Sequence, residues 1–308
     1  MRKYICLLFL LSLTIQPGFS IEISKNFKFN NFFNSDTRAI KKLINSQVDY
    51  ANKTDFKNFI ATYDANYINA DGFNLDSYSN LVRDIWNTYD KIEYDIDIKN
   101  ISINNDTAVA ELIETSYVNI PVSEKMDGIL KSKANSVYHL KKINGNWKVI
   151  SDSVLTETTS MLYGEAKNLD IKLSAPTQIL ANTEYTASLE FTPPEDAIVI
   201  ASIANDKVEY PQAQTKEVFR KFPEENILER LFTSNSDNVN EYVVASIGLT
   251  RANVSDISIK LSLVGFGYHI TRVNVIPQNK FIDNNTDSTK NSTMEVNAEV
   301  KKDNDKNK

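Results

Sequence analysis

The chain has 308 residues but only one cysteine, Cys6, and it lies within the first twenty residues. A chain without that segment has no disulfide, no thiol nucleophile and no cysteine-based metal site. Histidine is nearly as scarce. His139 and His269 are far apart in sequence, which argues against a transition-metal centre. No basic patch carries interleaved aromatics, and the formal net charge of -6 comes from interspersed acids and lysines, so nucleic acid is not an expected partner. After the N-terminal segment no run is apolar enough to span a bilayer, and no motif calls for a cofactor.

That segment, residues 1–20, reads as a secretory signal peptide. Arg2 and Lys3 give a positive start, and Ile5 to Ile15 is an almost purely apolar run, too short to cross a membrane comfortably. Pro17 breaks the helix, and Gly18 and Ser20 put small residues at the cleavage site, so the exported chain is expected to begin at Ile21. An uncleaved anchor is the other reading. A cysteine-free exported chain suits a bacterial periplasm or the cell exterior, stabilised by its cores alone.

Residues 21–35 read as a linker. Helical spacing then predicts a helix from Thr37 to about Asn52, with Ile40, Leu43, Ile44, Val48 and Ala51 on one face. A shorter helix capped by Thr54 carries Phe56, Phe59, Ile60 and Tyr63. A third runs from about Leu75 to Tyr89 with a stripe of Tyr78, Leu81, Val82, Ile85, Trp86 and Tyr89. The period then drops to two. Strands are expected near 92–99, at 107–118 and at 136–143, and the last turns through Asn144-Gly145 into another at 146–154. Residues 122–130 read as a loop. From Leu169 further strands follow, interrupted by an expected short helix at 223–232. The polar stretch 278–308 has too few apolar residues to join a core and reads as a disordered tail.

The order of helices, strands and Asn-Gly hairpin, with Val137-Tyr138-His139-Leu140 and Asn144-Gly145-Asn146-Trp147-Lys148-Val149 as the closing pair, resembles the nuclear transport factor 2-like superfamily, which includes SnoaL-like proteins. The resemblance implies an α+β domain over 36–166: a cone of three helices and a curved antiparallel sheet around a pit that serves some members as an active or binding site. It also suggests a homodimer formed through the sheet. Residues 168–277 more weakly resemble an immunoglobulin-like β-sandwich, without the cysteine and tryptophan of antibody domains. The expected fold class is therefore α+β followed by an all-β, sandwich-like domain.

A two-residue turn at Asn144-Gly145 pairs Leu140 with Val149 and Tyr138 with Ser151. That register puts Trp147, Leu140, Val149, Tyr138, Ser151 and Ser153 towards the helices. His139 and Asp152 fall together on the opposite face. Catalytic candidates are then His139 with Asp152, where a carboxylate could orient an imidazole, and Asp64 at the end of the second helix. The plainer readings are a solvated or dimer-facing strand surface for the pair and local hydrogen bonding for Asp64. Tyr63, Tyr67, Trp86, Tyr138 and Ser151 are candidates for lining a small apolar ligand, with core packing as the plainer reading of the aromatics. Without a catalytic constellation, the expected function is an exported binding or protein-interaction protein of the cell envelope. The alternative is a small-molecule isomerase, dehydratase or hydrolase acting in the pit.

Overall fold

The computed structural model describes residues 32–123, 126–255 and 258–278. The expected signal peptide, most of the linker and all but the first residue of the polar tail lie outside these. Three α-helices come first: α1 (Phe32–Asn52), α2 (Phe56–Ile60) and α3 (Leu75–Thr88). Helix α1 starts earlier than its apolar stripe suggests, and it buries Ile40, Ile44, Gln47 and Ala51 at spacings of one helical turn. The cap of α2 is Asp55, not Thr54: its side chain accepts the Asn58 amide at 3.3 Å. Asn74 caps α3 by accepting the Ser77 amide at 2.9 Å.

Four long strands follow: β1 (Glu93–Asn104), β2 (Thr107–Ser123), β3 (Met126–Ile143) and β4 (Asn146–Gly164). Each pairs antiparallel with the next. Asn144 and Gly145 both adopt positive φ, 49° and 80°, as a two-residue hairpin requires. After a short 3₁₀ turn the chain makes β5 (Lys172–Ser174), β6 (Gln178–Leu180), β7 (Glu184–Glu190), β8 (Ile198–Lys207), β9 (Arg220–Lys221), β10 (Ile227–Thr233), β11 (Glu241–Ser255) and β12 (Ser258–Ile276).

The expected fold class is overturned here. The molecule is mostly β, and it is not a helical cone followed by a separate sandwich. One nine-stranded sheet runs β1-β2-β3-β4-β12-β11-β8-β9, with β6 beside β12, through both halves of the chain. The cause is strand length. β2, β3 and β4 are 17, 18 and 19 residues long, so they run beyond the helices, and β4 presents 158–164 as an edge on which β12 pairs from Thr271 to Gly265. Of the loop expected at 122–130, residues 122–123 end β2 and 126–130 begin β3, the two pairing as far as Ser123↔Met126, while 124–125 lie outside the described residues. The helix expected at 223–232 is a turn followed by β10. Leu228 and Phe232 are buried and four apart, a spacing that satisfies both periods. Leu231, which a helix would bury, is 60% exposed.

Among the described residues three apolar clusters hold the layers. One lies between the helices and β1–β4, with Ile40, Ile44, Tyr138, Leu140, Trp147 and Val149 among its members. A second joins a three-stranded sheet, β10-β7-β5, to one face of β8 and β11 through Leu189, Phe191, Ile203, Leu228 and Ile247. The third packs α3 residues Leu81 and Ile85 against Met161, Tyr163, Val244 and Ile270. No helix among the described residues is long and apolar enough to cross a membrane.

Candidate functional site: a tyrosine and carboxylate pit

The floor between helices and sheet is set by a β-bulge. Leu140 pairs with Val149, but His139 pairs with Ser151, so Ile150 has no partner on β3 and the parity of β4 changes. Tyr138 therefore faces Asp152, not Ser151. The register assumed from the turn is right up to Val149 and wrong beyond it. Ser151 moves to the outer face opposite His139, and Asp152 moves inside, so the proposed His139–Asp152 pair does not form. A second bulge at Leu155 restores the alternation, with Val154 and Glu157 buried.

Asp152 is fully buried, and Tyr67 donates to both its carboxyl oxygens at 2.7 and 2.8 Å. Burial pushes its pKa well up. Tyr67 opposes this, while the charges of Glu114 and Asp71 add to it. A second carboxyl, Glu114, was not singled out from sequence. It is buried, accepts from Tyr138 at 2.7 Å and from Ser136, and is also pushed up by burial against those two hydrogen bonds. Its signal was legible. Ala108, Ala110, Leu112 and Glu114 form one buried row at period two, which places a carboxylate on the inward face.

The rings stack closely around these acids. Tyr63 lies 5.0 Å from Tyr67 and 5.1 Å from Tyr78, and the Tyr63 and Tyr78 hydroxyls are 3.1 Å apart. Burial raises the pKa of Tyr63, Tyr67, Tyr78 and Tyr138 alike, which keeps these hydroxyls as donors. Trp86 sits at the rim, half-buried against Phe56 and Phe59, with Nε1 donating to the Tyr94 hydroxyl at 3.0 Å. Beside these groups lies a cavity of about 40 Å³ walled by Gln47, Ala51, Phe59, Trp86, Glu114 and Tyr138. Gln47 donates to Thr62 at 2.8 Å, and its buried Oε1 has no protein partner among the described residues.

Asp64 lies outside this constellation. It accepts the Asn66 amide and side chain at 2.9 and 3.2 Å, a local turn. His139 is on the outer face, in a groove of about 410 Å³ with Val109, Glu111, Val137 and Leu155, and desolvation lowers its pKa. Beside the pit, where the loop before α3 meets β12, a further charged cluster is buried. Arg272 donates to Asp71 at 2.7 Å, Asn240 donates to the same oxygen at 2.8 Å, and Tyr242 donates to Glu157 at 3.3 Å. Burial pushes Glu157 up to about 8 against the pull of Arg272.

No family model matches the chain, and no curated protein matches it. Solved structures similar to parts of it include Bd1075 of Bdellovibrio bacteriovorus, at 16% identity over 42% of this chain and TM-score 0.32; the chain spans only 43% of that protein. A conserved protein from Planctomyces limnophilus DSM 3776 is 12% identical over 39% of this chain and 94% of its own, TM-score 0.35. A protein of unknown function from Pseudomonas putida KT2440 is 16% identical over 39% and 86% of the two chains, TM-score 0.29, and it is described as NTF2-like, the nuclear transport factor 2-like group. Structures similar to part of this chain thus include NTF2-like proteins.

Proposed function

We propose that this is an exported binding or protein-interaction protein of the cell envelope, and that its pit is a structural core without catalytic activity. The observation that supports this most is that the pit is largely filled by its own side chains. Tyr67 occupies both oxygens of Asp152, Tyr138 and Ser136 occupy Glu114, and about 40 Å³ remains. That space holds a water molecule or two, whereas small-molecule sites run to roughly 300–1,000 Å³. The outer groove beside His139, about ten times larger, is the surface we assign to partner contact.

A second reading keeps the pit as an acid–base site for a small isomerase, dehydratase or hydrolase substrate. It is favoured by one feature, two buried carboxyls with raised pKa flanked by tyrosine donors. The experiment that separates the readings is a product assay of the purified chain with small cyclic ketones, hydroxy acids and esters. No turnover above that of the Glu114→Gln, Asp152→Asn double variant is expected. Turnover that the double variant abolishes would establish the enzyme reading.

A further inference from the structure

The far end of the large sheet carries an apolar face that no other described residue covers. Up to Thr250, β11 is flanked by β8, and from Gly265 to Thr271, β12 is flanked by β4. Towards the β11–β12 turn the described residues of the two strands pair only with each other, from Arg251↔Ser262 to Ser255↔Ser258, and form a two-stranded arm. An isolated two-stranded ribbon is marginal in water. Its alternation is one-sided: Ile259, Leu261 and Leu263 are 71, 58 and 54% exposed. Arg251 belongs to the other face, where it pairs with Glu165 at 2.7 Å and Asp196 at 3.2 Å.

The apolar row continues off the arm. Thr250 pairs with Leu263 on one side and Ile198 on the other, and Gly248 pairs with Ile200, so all lie on the same face. Val218 joins them, because its amide donates to Ser202 of that face at 2.9 Å. Ile198, Ile200 and Val218 are 45, 40 and 57% exposed. Gly248 keeps the shoulder flat: a Cβ there would lie 3.3 Å from Ile200.

We propose that this face is a self-association interface in which two copies pack sheet to sheet about a two-fold axis, the arm of each lying on the Ile198–Ile200–Val218 shoulder of the other. Arm and shoulder lie side by side on one face, so the arm of each copy can lie on the shoulder of the other, as an isologous contact requires. Its six large aliphatic side chains reach the upper range of what monomers leave exposed, roughly 300–600 Å². A standard interface buries roughly 800 Å² per partner, so the patch supplies the core of one and its polar border the remainder. An anionic bilayer is a poorer match, because Arg251 is tied to two acids on the opposite face and the chain carries a net charge of -6. The proposal stands apart from the reading of the pit.

Sedimentation equilibrium of the chain from Ile21 to Lys308, from low to high micromolar concentration, tests it. A dimer is expected, and Leu261→Lys and Ile200→Lys should each shift dissociation at least tenfold towards monomer with an unchanged far-ultraviolet spectrum. Lys260→Glu, on the opposite face of the arm, should leave the dimer intact. A monomeric wild type, or a dimer indifferent to both lysine substitutions, overturns the proposal. So does a monomer that co-sediments with phosphatidylglycerol vesicles, which would assign the face to lipid.

Discussion

The Tyr67 hydroxyl donates to both oxygens of Asp152, at 2.7 and 2.8 Å, across 85 residues of sequence. This bond ties the loop after α2 to the bulged floor of the sheet. Tyr67→Phe leaves a buried carboxyl without its donor, so a loss of about 1–3 kcal/mol is expected in urea melts. Asp152→Asn keeps an acceptor for Tyr67 and removes the need to bury a charge, so at neutral pH it should be neutral or stabilising. Equal losses for the two variants would show that the bond is not the principal partner of Asp152.

Glu157 gives the clearest pH dependence. Its folded pKa, about 8, stands above the ordinary value of 4.5. A raised folded pKa contributes stability that is fully present below the unfolded pKa and lost as pH rises through the folded one. The decline therefore falls between about pH 4.5 and pH 8. Glu157→Gln should flatten the stability profile across that window and raise stability near pH 8 by up to about 4–5 kcal/mol. Parallel profiles for wild type and variant would refute the assignment.

Arg272 and Asp71 form an ion pair whose side chains are 0 and 1% exposed. Removing one partner strands the other charge, so Arg272→Met should cost about 3–5 kcal/mol. The double variant Asp71→Leu, Arg272→Met should recover most of that loss. A double variant as unstable as the sum of the two singles would show that the groups do not act as a pair.

Trp147 is 5% exposed and donates to Asp36 at 3.1 Å, with Leu140 and Val149 also buried in the same cluster. Trp147→Ala should cost about 3–5 kcal/mol, as for other buried aromatics cut to alanine. His139→Ala, on the outer face, should cost about 1 kcal/mol or less. Chemical denaturation of both variants checks the face assignment, and the reverse order would contradict it.

The pattern of these residues explains what was legible from sequence. Helix α3 was, because its buried residues recur at helical spacing. The Asn144-Gly145 turn was, because its two residues tolerate positive φ. The bulge at Ile150 was not. It has no glycine or proline to mark it, and one unpaired residue moved Asp152 from the outer face to the pit. The long extension of β4 was hidden similarly. After the second bulge its buried row is Glu157, Thr159, Met161 and Tyr163, too polar to read as a core strand. Its burial depends on β12, more than a hundred residues later.

We read the pit as a core filled by its own side chains. The most direct measurement is a titration of the pit tyrosines, followed by NMR, with small apolar ketones and alcohols. The account predicts no saturable shift at Tyr63, Tyr67, Tyr78 or Tyr138, because about 40 Å³ admits none of these compounds. A saturable shift that Glu114→Gln abolishes would contradict it and make the pit a binding site.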